Sequence, residues 1–333
     1  MIKVSPVNIK TWSKLGQRGT AFGIALPDVA KERDGVFVAT ADLGLLSGLE
    51  RFKKSFPDRF LNLGIAEQNM VGVAAGLAKE GFCVFATTYA TFITMRCMEQ
   101  VRHNLGYQQC NVKLVGSSSG LAMGMSGNTH YAVEDIAVMR AIPNVVVVSP
   151  ADGLETLKMV QAAAVDPRPM YIRLSGGLNC PIVYEQDYNF QIGRAVELQS
   201  GEDIAILATG SMVRPALDAA AALKKEGLSV TVVNVHTIKP LDTEAVGRAA
   251  REHRLLVTME EHGASGGLGG AVAECKAAYI DAPPQLAIGL PDAFGKADEY
   301  GVLLERYGLT ATAVTEKIRR AWERVVHGVQ TVI

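Results

Sequence analysis

Residues 62–70 read NLGIAEQNM and run into VGVAAGLAKEG, so Glu67 opens an otherwise apolar, small-residue helical stretch. A carboxylate there has two readings. It is a first-turn charge that suits the helix dipole, or it is an acid buried for its proton. Taken locally, the first reading is the stronger. Three further segments leave an apolar run and turn polar or Gly-rich: ATADLGLLSG (39–48), with Asp42; ATTYATF (86–92), with Tyr89 and Phe92; and GSSSGLAMGMSGNTH (116–130), with Ser118, Ser126 and His130. Each has a bland reading too. Asp42 caps the following turn, Tyr89 and Phe92 are core aromatics, and Arg173 in YIRLS makes a surface ion pair.

Several common chemistries are excluded. No G-x-x-x-x-G-K-[ST] is present, and no G-x-G-x-x-G follows a first strand. GSSSG at 116–120 has the letters of a hydrolase nucleophile elbow, but no short strand-to-helix turn follows it. HGASGGLGGAV (262–272) is a Gly-rich helix entry of the kind that binds anions, although close backbone packing is the stronger reading. His236, His253, His262 and His327 have no ligand-like spacing with Cys or acidic residues, so no metal site is assigned to them.

Short β-branched runs at 35–40, 82–88, 111–117, 144–149 and 170–175 alternate with helical stretches around 18–33, 66–80, 92–105 and 152–165. Several of the runs are apolar on both faces, as parallel strands covered by helices on each side are. The alternation predicts a doubly wound α/β domain, with ligands beyond the carboxyl ends of its strands. A Gly-, Pro- and Asn-rich interval at 176–203 marks the boundary. A second α/β series follows, with strands at 203–209, 229–235, 254–260 and 285–290 and helices near 213–226, 242–251, from 267 and from 310. The expectation is two consecutive three-layer α/β domains, 1–185 and 190–333.

The chain of 333 residues is 48% hydrophobic and 20% charged, with a net charge of −1. That balance carries no basic field for nucleic acid or an anionic membrane. No apolar run approaches the ~18 residues of a membrane span, and the start lacks a signal-peptide core. The five cysteines are scattered without a C-x-x-C pair, which predicts reduced thiols and a cytoplasmic protein.

Taken together, NLGIAEQNMVGVAAGLA, TTYATF, SGNTHYAVEDIAVMRAIPNVVVVSPAD, VVNVHTIKPLD and EEHGASGGLGGAVAE resemble, in order and spacing, the C-terminal portion of a transketolase. That portion comprises the pyrimidine-binding domain, with its mostly parallel sheet, and the C-terminal domain. The resemblance implies thiamine diphosphate as cofactor. Glu67 matches the glutamate that bonds N1′ of its aminopyrimidine, where proton exchange interconverts the amine and imine forms. Phe92 matches the ring that stacks on the aminopyrimidine, Tyr89 stands beside it, and Asp42 lies in a loop bordering the cofactor. His130 matches a substrate-facing histidine that stabilises developing oxyanions or relays protons. Arg173 matches an arginine gripping the far, phosphorylated end of the sugar, and Arg18 is a second candidate for that work.

Two departures shape the expectation. The family's G-D-G with a later Asn, which holds Mg²⁺, has only the near-misses RDG (33–35) with Asn62 and ADG (151–153) with Asn179. Asp34 precedes its strand, and Asp152 fits a helix N-cap. The diphosphate and Mg²⁺ site is therefore expected on a partner chain, in an α₂β₂ assembly that shares the cofactor. In addition, the family's customary histidine and aspartate near the reacting carbons become Ser118 and Ser126. That change implies an atypical ketose donor, branched or with a modified terminus. The leading reading is a split transketolase that moves a two-carbon unit between sugar phosphates. The β subunit of a 2-oxo-acid dehydrogenase E1, a 1-deoxy-xylulose-5-phosphate synthase and a non-catalytic partner subunit are the alternatives.

Overall fold

Apolar alternation on both sides of each strand builds the first sheet. Neighbouring residues Val38 and Ala39, Phe85 and Ala86, Val115 and Leu114, and Ile172 and Tyr171 are all buried, and each pair divides between two separate cores. The computed structural model describes residues 2–328. Its first sheet contains β1 (Val36–Thr40), β2 (Phe60–Asn62), β3 (Cys83–Tyr89), β4 (Val112–Ser119), β5 (Val146–Val148) and β6 (Met170–Ser175). These run parallel in the order β5-β6-β4-β3-β1-β2. One core lies under the helices Pro6–Thr20, Leu26–Glu32 and Gly153–Val165, and the other under Glu67–Lys79 and the segment 92–107.

The second sheet contains β7 (Val196–Gln199), β8 (Ile204–Ala208), β9 (Val230–Asn234), β11 (Leu255–Gly263) and β12 (Gln285–Leu290). Its order is β12-β11-β8-β9-β7, with only β7 antiparallel to its neighbour. The expected fold class, two consecutive α/β units with mostly parallel sheets, is the one observed. A short strand of the second half, β10 (Thr237–Lys239), pairs antiparallel with β5 and forms the edge of the first sheet. The two halves thus share a sheet.

Three details differ from expectation. The first helix begins at Pro6 and not near 18, with Ser5 as its N-cap accepting from Asn8 N. The helix expected at 92–105 is a π-helical turn at Phe92–Arg96, a short α-helix and a second π-helical stretch at Arg102–Tyr107. Between Pro6 and Glu32 a π-helical segment likewise interrupts the run.

Lys113 lies fully buried in β4 and donates its Nζ to the carbonyls of Asp166 (2.6 Å) and Arg168, just past the helix Gly153–Val165. A cation suits those carbonyls, but burial presses its pKa from 10.5 down to about 8. Between those values the folded chain binds fewer protons than the unfolded one, so the cost of charging Lys113 is relieved as pH rises. Stability of the wild type relative to Lys113→Met is therefore expected to increase from about pH 8 to pH 10.5. Paired urea titrations across that range check this; a flat difference would refute it.

Candidate functional site

Glu67 begins the helix Glu67–Lys79 directly after the Gly64 turn, whose φ of 71° suits a glycine. Asn62 organises this entry. Its Oδ1 accepts from Asp42 N (3.0 Å) and Gly64 N (3.1 Å), and its Nδ2 donates to Asp42 Oδ1 (3.1 Å). Asp42 itself is exposed, with φ 58°, so the loop after β1 and the turn before Glu67 are tied through one side chain.

The Glu67 carboxylate is 4% exposed, and its Oε1 accepts from Arg96 NH1 at 2.7 Å. The Arg96 guanidinium lies over the Phe92 ring at 4.1 Å. Phe92 in turn meets His130 edge-on at 5.3 Å and Tyr89 at 5.9 Å, and Tyr89 meets His130 at 6.1 Å. The structure therefore gathers Glu67, Phe92, Tyr89 and His130 into one patch at the carboxyl ends of parallel strands, where ligands of open α/β sheets bind. His130 Nδ1 is paired with Thr129 Oγ1 at 3.0 Å, which fixes the ring. Beneath them, burial and then the charge of Glu67 push the Cys97 thiol up to about 12, so it is an inert, neutral neighbour.

Ser118 lies at the end of β4 with φ 53°, within a register shift between Gly116 and Ser119. Its neighbours Ser117 and Ser119 bond the adjacent strands through Thr88 O and Leu174 O. The irregularity re-aims Ser118 out of the sheet pattern. Ser126 is exposed at the end of the turn Gly124–Ser126. The second half holds this loop through Asn128, whose Nδ2 donates to Gly295 O at 2.6 Å and whose Oδ1 accepts from Gly295 N, while within the loop Tyr131 OH donates to Gly124 O at 2.6 Å.

A scan of family models matches the transketolase pyrimidine-binding domain to residues 17–181 and the transketolase C-terminal domain to residues 193–314. A putative transketolase C-terminal section of Methanocaldococcus jannaschii is 39% identical over 89% of this chain and 93% of that one. The chain belongs to the transketolase family. The 6-deoxy-6-sulfo-D-fructose transketolase subunit of a Clostridium species is 38% identical over 90% of this chain and 92% of that one. A solved split-gene transketolase, described as an inactive beta4 tetramer, superposes with a TM-score of 0.83 at 40% identity, covering 92% of this chain and 98% of that one.

Within this transketolase-family chain, Arg173, expected to grip the sugar's far end, lies in a buried hydrogen-bonded network. Its side chain is 1% exposed, donating Nε to Asp135 Oδ2 (2.8 Å) and NH2 to the carbonyls of Ala132 (3.2 Å) and Glu261 (2.9 Å). Tyr171 OH shares the same Asp135 oxygen at 2.6 Å, and burial first, then Asp135, holds that phenol well above its usual range. Arg173 bolts β6 to β11 through its Nε and NH2, which leaves its guanidinium almost wholly enclosed. Arg18 is half-buried in the last turn of its helix. The same helix bonds the chain just past β6 through Ser13 O and Lys14 O, which accept from Cys180 N and Asn179 N.

The two Asp near-misses behave as their positions imply. Asp152 Oδ1 accepts from Glu155 N at 2.8 Å as an N-cap, and Asp34 projects from the turn before β1. The Gly-rich entry at 262–272 is filled from inside, because the Glu260 carboxylate accepts from Leu268 N (2.7 Å) and Gly269 N (2.8 Å). A Cβ at Gly267 would fall 2.0 Å from that carboxylate, so close packing explains the glycine. Arg96 is the residue that the sequence reading missed. Its one signal was the i,i+4 spacing from Phe92 on a helical stretch.

Proposed function

We propose that the chain is one subunit of a thiamine-diphosphate-dependent transketolase that moves a two-carbon glycolaldehyde unit from a ketose to an aldose. The observation that carries this reading is the Glu67 carboxylate, buried and bonded to a flat nitrogen cation that lies on Phe92. That donor set, an in-plane carboxylate beside an aromatic face, fits a planar nitrogen heterocycle such as an aminopyrimidine. Thiamine diphosphate, when bound, would supply a nucleophilic carbon able to carry the two-carbon unit. Glu67 would share a proton with N1′ of the cofactor's aminopyrimidine, and its burial would exclude the water that competes for that proton. Phe92 supports the aminopyrimidine face, Tyr89 walls it, and the Asp42 loop borders it. His130, fixed through Thr129, offers its other nitrogen to the substrate's developing oxygen charge.

The diphosphate and its Mg²⁺ fall to a partner chain in an α₂β₂ heterotetramer of the cytoplasm. In favour of a shared site, Ile65 (79% exposed) and Leu45 (76% exposed) present apolar side chains close in sequence to Glu67 and Asp42. The split-gene relative's inactive beta4 tetramer points the same way. Ser118 and Ser126 line the donor pocket and leave room for an atypical ketose, a reading in keeping with the relative that is named for a sulfonated fructose. Arg18 remains the basic candidate for an anionic sugar terminus.

The test is calorimetric titration of thiamine diphosphate with Mg²⁺ into this chain alone and into its mixture with the partner chain. Uptake only by the mixture is expected. Tight uptake by this chain alone would end the split-site reading, and no uptake in either would favour a non-catalytic subunit.

A further inference from the structure

Arg96 stands where two requirements of a planar heterocycle meet. Its guanidinium lies 4.1 Å from the centre of the Phe92 ring, and its NH1 donates to Glu67 Oε1 at 2.7 Å. A guanidinium is flat and weakly hydrated, with N–H donors in its plane and a face that settles on aromatic rings. An aminopyrimidine stacked on Phe92 and bonded to Glu67 makes the same pair of contacts, one through its face and one through its edge. Two flat groups cannot both satisfy the same carboxylate oxygen and the same ring face.

The surroundings allow exchange. The Arg96 side chain is 46% exposed while Glu67 is 4% exposed, so the cation has a route to water that the carboxylate lacks. The backbone at Arg96 is held separately, its carbonyl accepting from Gln68 Nε2 at 3.0 Å. A change of rotamer therefore moves the guanidinium without moving the π-helical turn that carries Phe92.

Building on the function proposed above, we propose that Arg96 is a displaceable substitute for the aminopyrimidine: it pairs with Glu67 and covers Phe92 until the cofactor takes over both contacts. The arrangement spares the site an unpaired buried carboxylate, which is costly in a folded protein. It also sets the cofactor's affinity, because binding must first break an ion pair and a cation–π contact. From the usual strength of such contacts at a half-exposed position, that competition weakens apparent affinity roughly tenfold. Arg96 is thus a positioning residue for Glu67 and a governor of cofactor loading.

The experiment measures thiamine diphosphate binding, with Mg²⁺, to the two-chain enzyme by calorimetry and by stopped-flow fluorescence. It compares wild type with Arg96→Ala, Arg96→Lys and, as a reference, Glu67→Gln. Arg96→Ala is expected to bind about tenfold tighter and load faster. Arg96→Lys, which keeps the charge and loses the flat stack, should fall between it and wild type, and Glu67→Gln should bind more weakly. Equal or weaker binding by Arg96→Ala at an unchanged melting midpoint, with Glu67→Gln impaired, overturns this inference and leaves the function standing. It would mean that Arg96 keeps its bond while the ring takes the other carboxylate oxygen. If Arg96→Ala does not fold, the sign of the Arg96→Lys change decides in the same way. A wild-type mixture that takes up no cofactor overturns both.

Discussion

Glu67→Gln is expected to lower turnover of the assembled enzyme by about 10²- to 10⁴-fold, the usual contribution of a positioned proton-transfer group, with assembly unaffected. The amide has the volume of the carboxyl and still accepts a hydrogen bond from Arg96, so the 4%-exposed site stays filled and its nearest donor stays satisfied. What it loses is the exchangeable proton. The comparison therefore isolates chemistry from folding, in a way that Glu67→Ala, which would remove the partner of Arg96 and open a cavity, does not. Steady-state turnover of the reconstituted enzyme, read beside its sedimentation behaviour, checks the expectation. An unchanged rate in an intact assembly would remove Glu67 from the mechanism and return it to the role of a first-turn carboxylate. A non-catalytic subunit predicts that unchanged rate as well, so the same measurement tests the activity itself.

The features legible in the sequence were those with a local cause. Strands β1, β3, β4 and β6 announce themselves because each is apolar on both faces and sits between helical periods. The Glu67, Tyr89, Phe92 and His130 patch was legible only as an ensemble, since each residue read singly is unremarkable. Pairings made across long sequence distances left no such trace. Strand β10 is three residues whose partner, β5, lies some ninety positions earlier. Arg96 reads as an exposed helical cation until Glu67, 29 residues away, is seen beneath it. The helix expected at 92–105 carries its break as π-helical turns, which differ from α-helix by one residue per turn and give no compositional warning. The early start of the first helix, by contrast, was written as Ser5-Pro6, an N-cap followed by proline at the first helical position.

Arg173 shows how burial redirects a residue, and its substitution is expected to be felt in stability. Arg173→Leu should destabilise the fold by about 3–5 kcal/mol, the range for breaking a buried pair by removing one partner. Asp135 would then keep a charge at 0% exposure with only Tyr171 OH to bond its Oδ2, while its Oδ1 already lacks a partner among the described residues. The carbonyls of Ala132 and Glu261 would lose a donor at the same stroke. Because Glu261 also accepts from Leu121 N through Oε1 and from Tyr300 OH through Oε2, the loss falls on the seam between the two sheets. Replacing Asp135 together with Arg173, as Asp135→Leu/Arg173→Leu, should cost less than the sum of the single changes, since no charge is left buried alone. Urea midpoints of the singles and the double provide the cycle, and the Michaelis constant for the ketose donor, measured on the folded fraction, provides the contrast. A substrate-gripping arginine predicts a raised Michaelis constant at an unchanged midpoint. A bolt between sheets predicts the reverse, because a guanidinium at 1% exposure, engaged through Nε and NH2 by a carboxylate and two carbonyls, is committed to the fold before any sugar phosphate arrives.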